Sequence, residues 1–105
     1  MKTELTKEES AELRDFILSF QPDNEIVKKD ILTITDLMEI IPKEILHLKS
    51  FYKLIIEWSP TSTLIYYRNL LGQQTQHKLE SEFINALKSM IHWLGKDYLN
   101  QNNDN

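Results

Sequence analysis

Two glycines, Gly72 and Gly95, and three prolines are all that this chain offers for sharp reversals of direction. Tight β-hairpins lean on Gly, Asn-Gly or Asp-Gly at positions of positive φ, so a sequence this poor in glycine argues against a turn-rich β architecture. Hydrophobic spacing points the same way. Apolar residues recur at intervals of three and four along most of the chain, which predicts an all-α fold, a compact bundle of four or five helices. With 105 residues there is room for a single domain, here residues 1–99, while the polar run 100–105 has nothing to bury and is expected to be disordered.

The first helix, about 6–20, opens on Thr6-Lys7-Glu8-Glu9, a capping-box pattern, and places Leu13, Phe16, Ile17 and Phe20 on one face. A second, about 24–40, carries Val27, Ile31 and Ile34 with Leu37 or Met38, although the β-branched stretch 31–35 also suits a short strand. Pro42 fits the first turn of a third helix, about 43–58, with two adjacent apolar stripes and the near-central burial that they imply. Ser59-Pro60 starts a fourth, about 60–71, ended by Gly72. The last, about 75–94, carries Leu79, Phe83, Leu87 and Leu94 and is closed by Gly95.

There is no cysteine, which removes disulfides, thiolate zinc sites and a catalytic thiol. The net charge of −4 speaks against non-specific binding to nucleic acid or anionic lipid. Charge is unevenly spread: residues 1–41 hold ten acids and five bases, 42–98 five acids and seven bases. Residues 1–9 carry no apolar core of a secretory signal, and no apolar run nears the roughly 20 residues that span a bilayer. A cytoplasmic location with no membrane association is the expectation.

The histidines are the first candidates for carrying chemistry. Glu44 and His47 have the i, i+3 spacing by which di-iron helix bundles set two ligands on one helical face, but such sites need two pairs and two more carboxylates. His47-Leu48-Lys49-Ser50 resembles the histidine phosphotransfer signature, with Lys one place too early and rotated about 100° around a helix. His92 lies near a helix C-terminus, where the dipole favours a cation. Arg68-Asn69 with His77 resembles the Arg-polar-His motif of HEPN ribonucleases, yet Gly72 intervenes and the spacing is longer. Tyr66-Tyr67-Arg68 half resembles the Leu-Tyr-Arg motif of mitochondrial assembly factors, too late in the chain and with Tyr in place of Leu. From these departures no catalytic residue, metal ligand or cofactor is expected.

One compositional feature remains. Phe51, Tyr52, Trp58, Tyr66 and Tyr67, five of the ten aromatics, fall within 17 residues, and Arg68 is the single charge between Trp58 and Gln76. Tyr, Trp and Arg dominate binding hot spots. Phe51, Trp58, Tyr66, Tyr67 and Arg68 are therefore the candidate protein-binding residues of a non-catalytic helical module, of the antitoxin, immunity, chaperone or accessory-subunit kind. The expected partner is another protein, a basic one suiting the acidic first helix, or a second copy in a homodimer. A helical subunit of a nucleic-acid-binding complex and a metal-dependent or RNA-cleaving enzyme are the rival readings.

Overall fold

In the computed structural model, which describes residues 2–98 (with the side chains of Val27, Asp97 and Tyr98 left aside), the chain is α+β. Helices α1 (Lys7–Phe20), α2 (Ile34–Ile40) and α3 (Phe83–Trp93) lie against an antiparallel meander of β1 (Glu44–His47), β2 (Ser50–Trp58), β3 (Thr63–Asn69) and β4 (Lys78–Glu80), in the order β1-β2-β3-β4. This overturns the all-α bundle. The expected third and fourth helices, 43–58 and 60–71, are strands β1 to β3. The expected fifth, 75–94, is a loop, β4 and α3. The 100–105 tail lies outside the described residues.

The reason is local. Residues 50–58 and 63–69 are dense in aromatic and β-branched side chains, which fit a pleated surface better than a helix. Alternate side chains point to opposite faces. Tyr52, Leu54 and Ile56 point to the core, as do Ile65 and Tyr67 on β3, while Lys53, Glu57 and Arg68 are exposed on the other side. Seven consecutive pairs, from Tyr52↔Asn69 to Trp58↔Thr63, fix the β2–β3 register. The first two turns are made without glycine. β1 and β2 meet at a two-residue type I′ turn formed by Leu48 (φ 49°) and Lys49 (φ 65°), and β2 and β3 at a four-residue loop closed by the Ser59 N–H donating to the Ser62 carbonyl at 2.9 Å.

The first helix comes out as its capping box implies. The Thr6 hydroxyl accepts from the Glu9 N–H at 3.1 Å, and the Glu9 carboxylate accepts from the Thr6 N–H at 3.0 Å. The expected second helix, 24–40, is cut to a 3-10 turn at Glu25–Lys28 and α2. Between them the Leu5 N–H donates to the Leu32 carbonyl (2.8 Å) and the Ile34 N–H to the Thr3 carbonyl (3.0 Å), so the stretch in doubt pairs with the N-terminal segment in a single bridge, Glu4↔Thr33. A second capping box, Thr33 with Asp36, then starts α2.

The core fills the space between the inner face of the sheet and the three helices. Leu13 and Ile17 of α1, Leu37 and Ile40 of α2, Ile65 and Tyr67 of β3, and Ile84, Leu87, Met90 and Ile91 of α3 are fully buried in it. Glu9 also ties the helical layer together, accepting from Lys2 Nζ at 2.8 Å and Lys88 Nζ at 2.9 Å. Those bonds, with the Thr6 N–H, hold its carboxyl far below the usual carboxylate range. All helices pack on one face. The other face of the sheet is uncovered by them.

Candidate functional site

Strand alternation decides which side chains the uncovered face presents. Leu46 and Phe51 make one cross-strand row, Glu44, Lys53 and Arg68 the next, then Ile55 with Tyr66, then Glu57, Leu64 and Leu79. Both the β1–β2 turn and the β3–β4 loop lie at one end of this face, because a meander turns at the same end on alternate connections. There an open groove of about 870 Å³ is lined by Glu44, Lys49, Phe51, Lys53, Ile55 and Arg68 on the sheet side and by Leu70, Leu71 and Gly72 on the loop side.

The loop side is constructed by Asn69. Its side-chain oxygen accepts from the Leu71 N–H (3.1 Å) and the Gln73 N–H (2.8 Å), and its amide donates to Gln73 Oε1 (2.7 Å) and to Ser50 Oγ on β2 (3.2 Å). Gly72 takes a positive φ of 83°, as the tight turn requires. Leu70 and Leu71 are thus held out on a hydrogen-bonded frame, 99% and 84% exposed. Leu48 and Phe51 are exposed beside them, at 68% and 63%.

The β1–β2 turn is strained as well as apolar. Non-glycine residues in the left-handed region carry a cost, and Leu and Lys lack the short polar side chain that makes Asn tolerable there. Replacing Leu48→Asn together with Lys49→Gly is expected to stabilise the fold by about 1–2 kcal/mol. The midpoint of urea unfolding measures it; an unchanged or lower midpoint would show that the turn is not strained.

The structure distributes the five aromatic-cluster candidates over three places. Phe51 and Arg68 line the groove. Tyr66 is on the same face but only 4% exposed: its ring stacks on His77 at 4.3 Å, and its hydroxyl donates to Glu57 Oε1 at 3.0 Å, which pushes its pKa up. Trp58 is exposed, but it packs edge-on to Phe83 at the other end of β2, about 23 Å along the strand from Phe51 by strand rise. Tyr67 is fully buried on the opposite face, its hydroxyl donating to the Pro42 carbonyl at 2.7 Å. The groove residues that sequence reasoning passed over are Lys49, Lys53, Ile55, Leu70 and Leu71. The adjacent pair Leu70-Leu71 before Gly72, in an otherwise polar stretch, was the available sign.

The strand assignment also separates the histidine motifs. On a strand, residues three apart point to opposite faces, so Glu44 is exposed on the outer face while His47 is buried among core aromatics, edge-on to Tyr52 (5.4 Å) and Trp93 (5.6 Å). His77 is held by Tyr66 and by Gln74 Oε1 at 2.6 Å. Among the described residues no group of three or more His, Cys, Asp or Glu lies close enough together to hold a metal ion.

Burial pushes the pKa of His47 down from its ordinary value near 6.5. It does the same to His92, which stacks on Phe16 at 4.3 Å, with Glu12 opposing the shift and Lys88, Lys78 and Lys96 adding to it. The favourable cation expected for His92 at its helix end is therefore outweighed. Below about pH 6.5 the unfolded chain takes up protons that the folded chain refuses, so this stability is whole above that pH and lost beneath it. The thermal midpoint is expected to fall steadily between about pH 7 and 5.5, a range above the ordinary carboxylate values. A flat or rising midpoint would contradict the burial of both rings.

No family model, curated protein or solved structure matches this chain at a significant level.

Proposed function

We propose that the protein is a non-catalytic binding module that takes a partner in the groove on its uncovered sheet face. The observation that carries this reading is the group of large apolar side chains, Phe51, Leu70 and Leu71, held exposed around one concavity, with exposed Leu48 on the adjoining β1–β2 turn. Single exposed apolar residues are ordinary, whereas a contiguous group on a fixed frame marks an interaction surface. Antiparallel sheets covered on one side normally turn polar alternation to the solvent. Here the solvent side keeps apolar rows, Leu46 with Phe51 and Ile55 with Tyr66, on either side of the charged row of Glu44, Lys53 and Arg68.

The candidate residues reduce to Phe51 and Arg68, joined by the groove residues named above. A basic partner would suit the exposed acids of α1, on the helical layer, but Lys49, Lys53 and Arg68 outnumber Glu44 in the groove and favour an acidic one. Self-association is the version in which a second copy supplies that partner.

Photo-crosslinking in the native host tests the reading. With p-benzoylphenylalanine in place of Phe51, a discrete adduct is expected that disappears when Leu70→Glu and Leu71→Glu are added. The same probe at exposed Ile31, outside the groove, is expected to give none. An adduct of twice the mass identifies self-association. Absence of any adduct from position 51, or equal adducts from both positions, would refute the groove as a binding surface.

A further inference from the structure

We infer that the segment seated in this groove is an extended peptide in which an acidic residue lies between two large apolar ones at every second position, its carboxylate bridging Lys53 and Arg68. The inference rests on the binding-module reading and adds the chemistry of the partner.

Its starting point is a pair of opposed cations that no salt bridge among the described residues ties down. Lys53 and Arg68 face each other directly across the β2–β3 ladder, both exposed on the outer face. Directly opposed side chains have Cβ atoms roughly 4.5–5.5 Å apart, and like charges at that distance destabilise a sheet. The chain has acids to relieve such repulsion and uses them elsewhere: Glu9 pairs with Lys2 and Lys88, and Asp36 with Lys29. Among the described residues neither Lys53 nor Arg68 forms an ion pair. Glu44, in register with Lys53 on the β1 side, makes no salt bridge to it either. A carboxylate arriving from solvent between Lys53 and Arg68 would meet two cations with geometry to share it.

The neighbouring rows give the spacing. Along β2 the outer face reads Phe51, Lys53, Ile55, apolar then basic then apolar, in steps of two residues or about 6.6 Å. A peptide lying extended along the strands repeats its same-face side chains at that step. It would set an apolar side chain against Phe51 and Leu71, an acid against Lys53 and Arg68, and a second apolar side chain against Ile55. Nucleic acid fits less well. Phe51 is the accessible aromatic on this face, since His77 covers Tyr66, and Glu44 and Glu57 on the same face would repel a polyphosphate. A membrane fits less well too, because Glu44 shares the row of Lys53 and Arg68 and Glu57 lies on the same face, and an anionic lipid surface would repel both.

The experiment is selection of a displayed random peptide library on the full chain, followed by fluorescence anisotropy of the enriched peptides. The enriched sequences are expected to carry Asp or Glu two residues from a large apolar residue on each side. Their affinity is expected to fall at least tenfold in the Lys53→Gln/Arg68→Gln variant and to weaken as salt is raised. That variant is expected to keep its circular dichroism and to melt no lower than the parent, since it relieves a repulsion. A role for the pair in the fold alone would not move peptide affinity. Enrichment of neutral or basic peptides, acidic peptides that bind the variant equally well, or no enrichment would each overturn the inference. Neutral peptides displaced by Phe51→Ala or Leu71→Ala would leave the binding module standing and sink the acidic partner. Tighter retention of a single-stranded oligonucleotide, or of phosphatidylserine vesicles, would overturn it in favour of that ligand.

Discussion

Replacing Tyr67 by Ala is expected to cost about 3–5 kcal/mol of stability, enough to unfold much of a domain of this size at moderate temperature. The ring is fully buried beside Trp93, and the change opens a cavity in the centre of the sheet's inner face. It also removes the donor to the Pro42 carbonyl, which fixes the chain entering β1. Tyr67→Phe keeps the ring and isolates that bond, at about 1–2 kcal/mol. Phe51, an aromatic on the outer face, is expected to change stability by less than about 0.5 kcal/mol as Phe51→Ala. Urea unfolding of the three variants measures the contrast. Equal losses for Tyr67→Ala and Phe51→Ala would mean that the two faces of the sheet have been assigned wrongly.

Gly95→Ala is expected to destabilise by about 2–3 kcal/mol, a large effect for one added methyl group. A Cβ at this position would stand 2.6 Å from the Phe16 carbonyl oxygen and 2.9 Å from Phe16 Cα and Cβ, so what must yield is the backbone of α1. The close approach lets the π-helical turn Leu94–Tyr98 pack directly on α1. Gly72 is the internal comparison. Nothing lies within 4 Å of a Cβ added there, and only its positive φ resists substitution, so Gly72→Ala is expected to cost about 1 kcal/mol. Thermal and urea midpoints of both variants decide it. A Gly95→Ala protein as stable as the parent would mean that α1 and the turn are further apart.

How far the sequence could be read depended on whether local cues agreed with the tertiary solution. Thr6-Lys7-Glu8-Glu9 has both halves of a capping box and one clear apolar stripe behind it, and α1 begins at Lys7. The sheet is masked in the sequence by Leu54-Ile55-Ile56, three apolar residues in succession that satisfy period two and period 3.6 alike. Scarcity of glycine does not exclude hairpins here, since Leu48 and Lys49 accept the left-handed conformation that glycine usually supplies. The candidate residues depend on the same distinction. A helix would set Tyr66 and Arg68 about 200° apart, whereas the strand puts both on the outer face and sends Tyr67 to the core. The groove itself joins Lys49 of the β1–β2 turn to Leu70-Leu71 of the β3–β4 loop, more than twenty residues apart in the chain, and local pattern carries no information about that meeting.

Confining every helix to one side of the sheet has an evolutionary consequence. Positions 51, 53, 55 and 68 alternate with core positions along the same strands yet contribute little to the interior. Mutation can therefore redraw what this surface recognises almost without taxing the fold beneath. Lineages descended from such a protein should diverge fastest at alternate residues of β2 and β3, a zigzag of change laid over a constant interior.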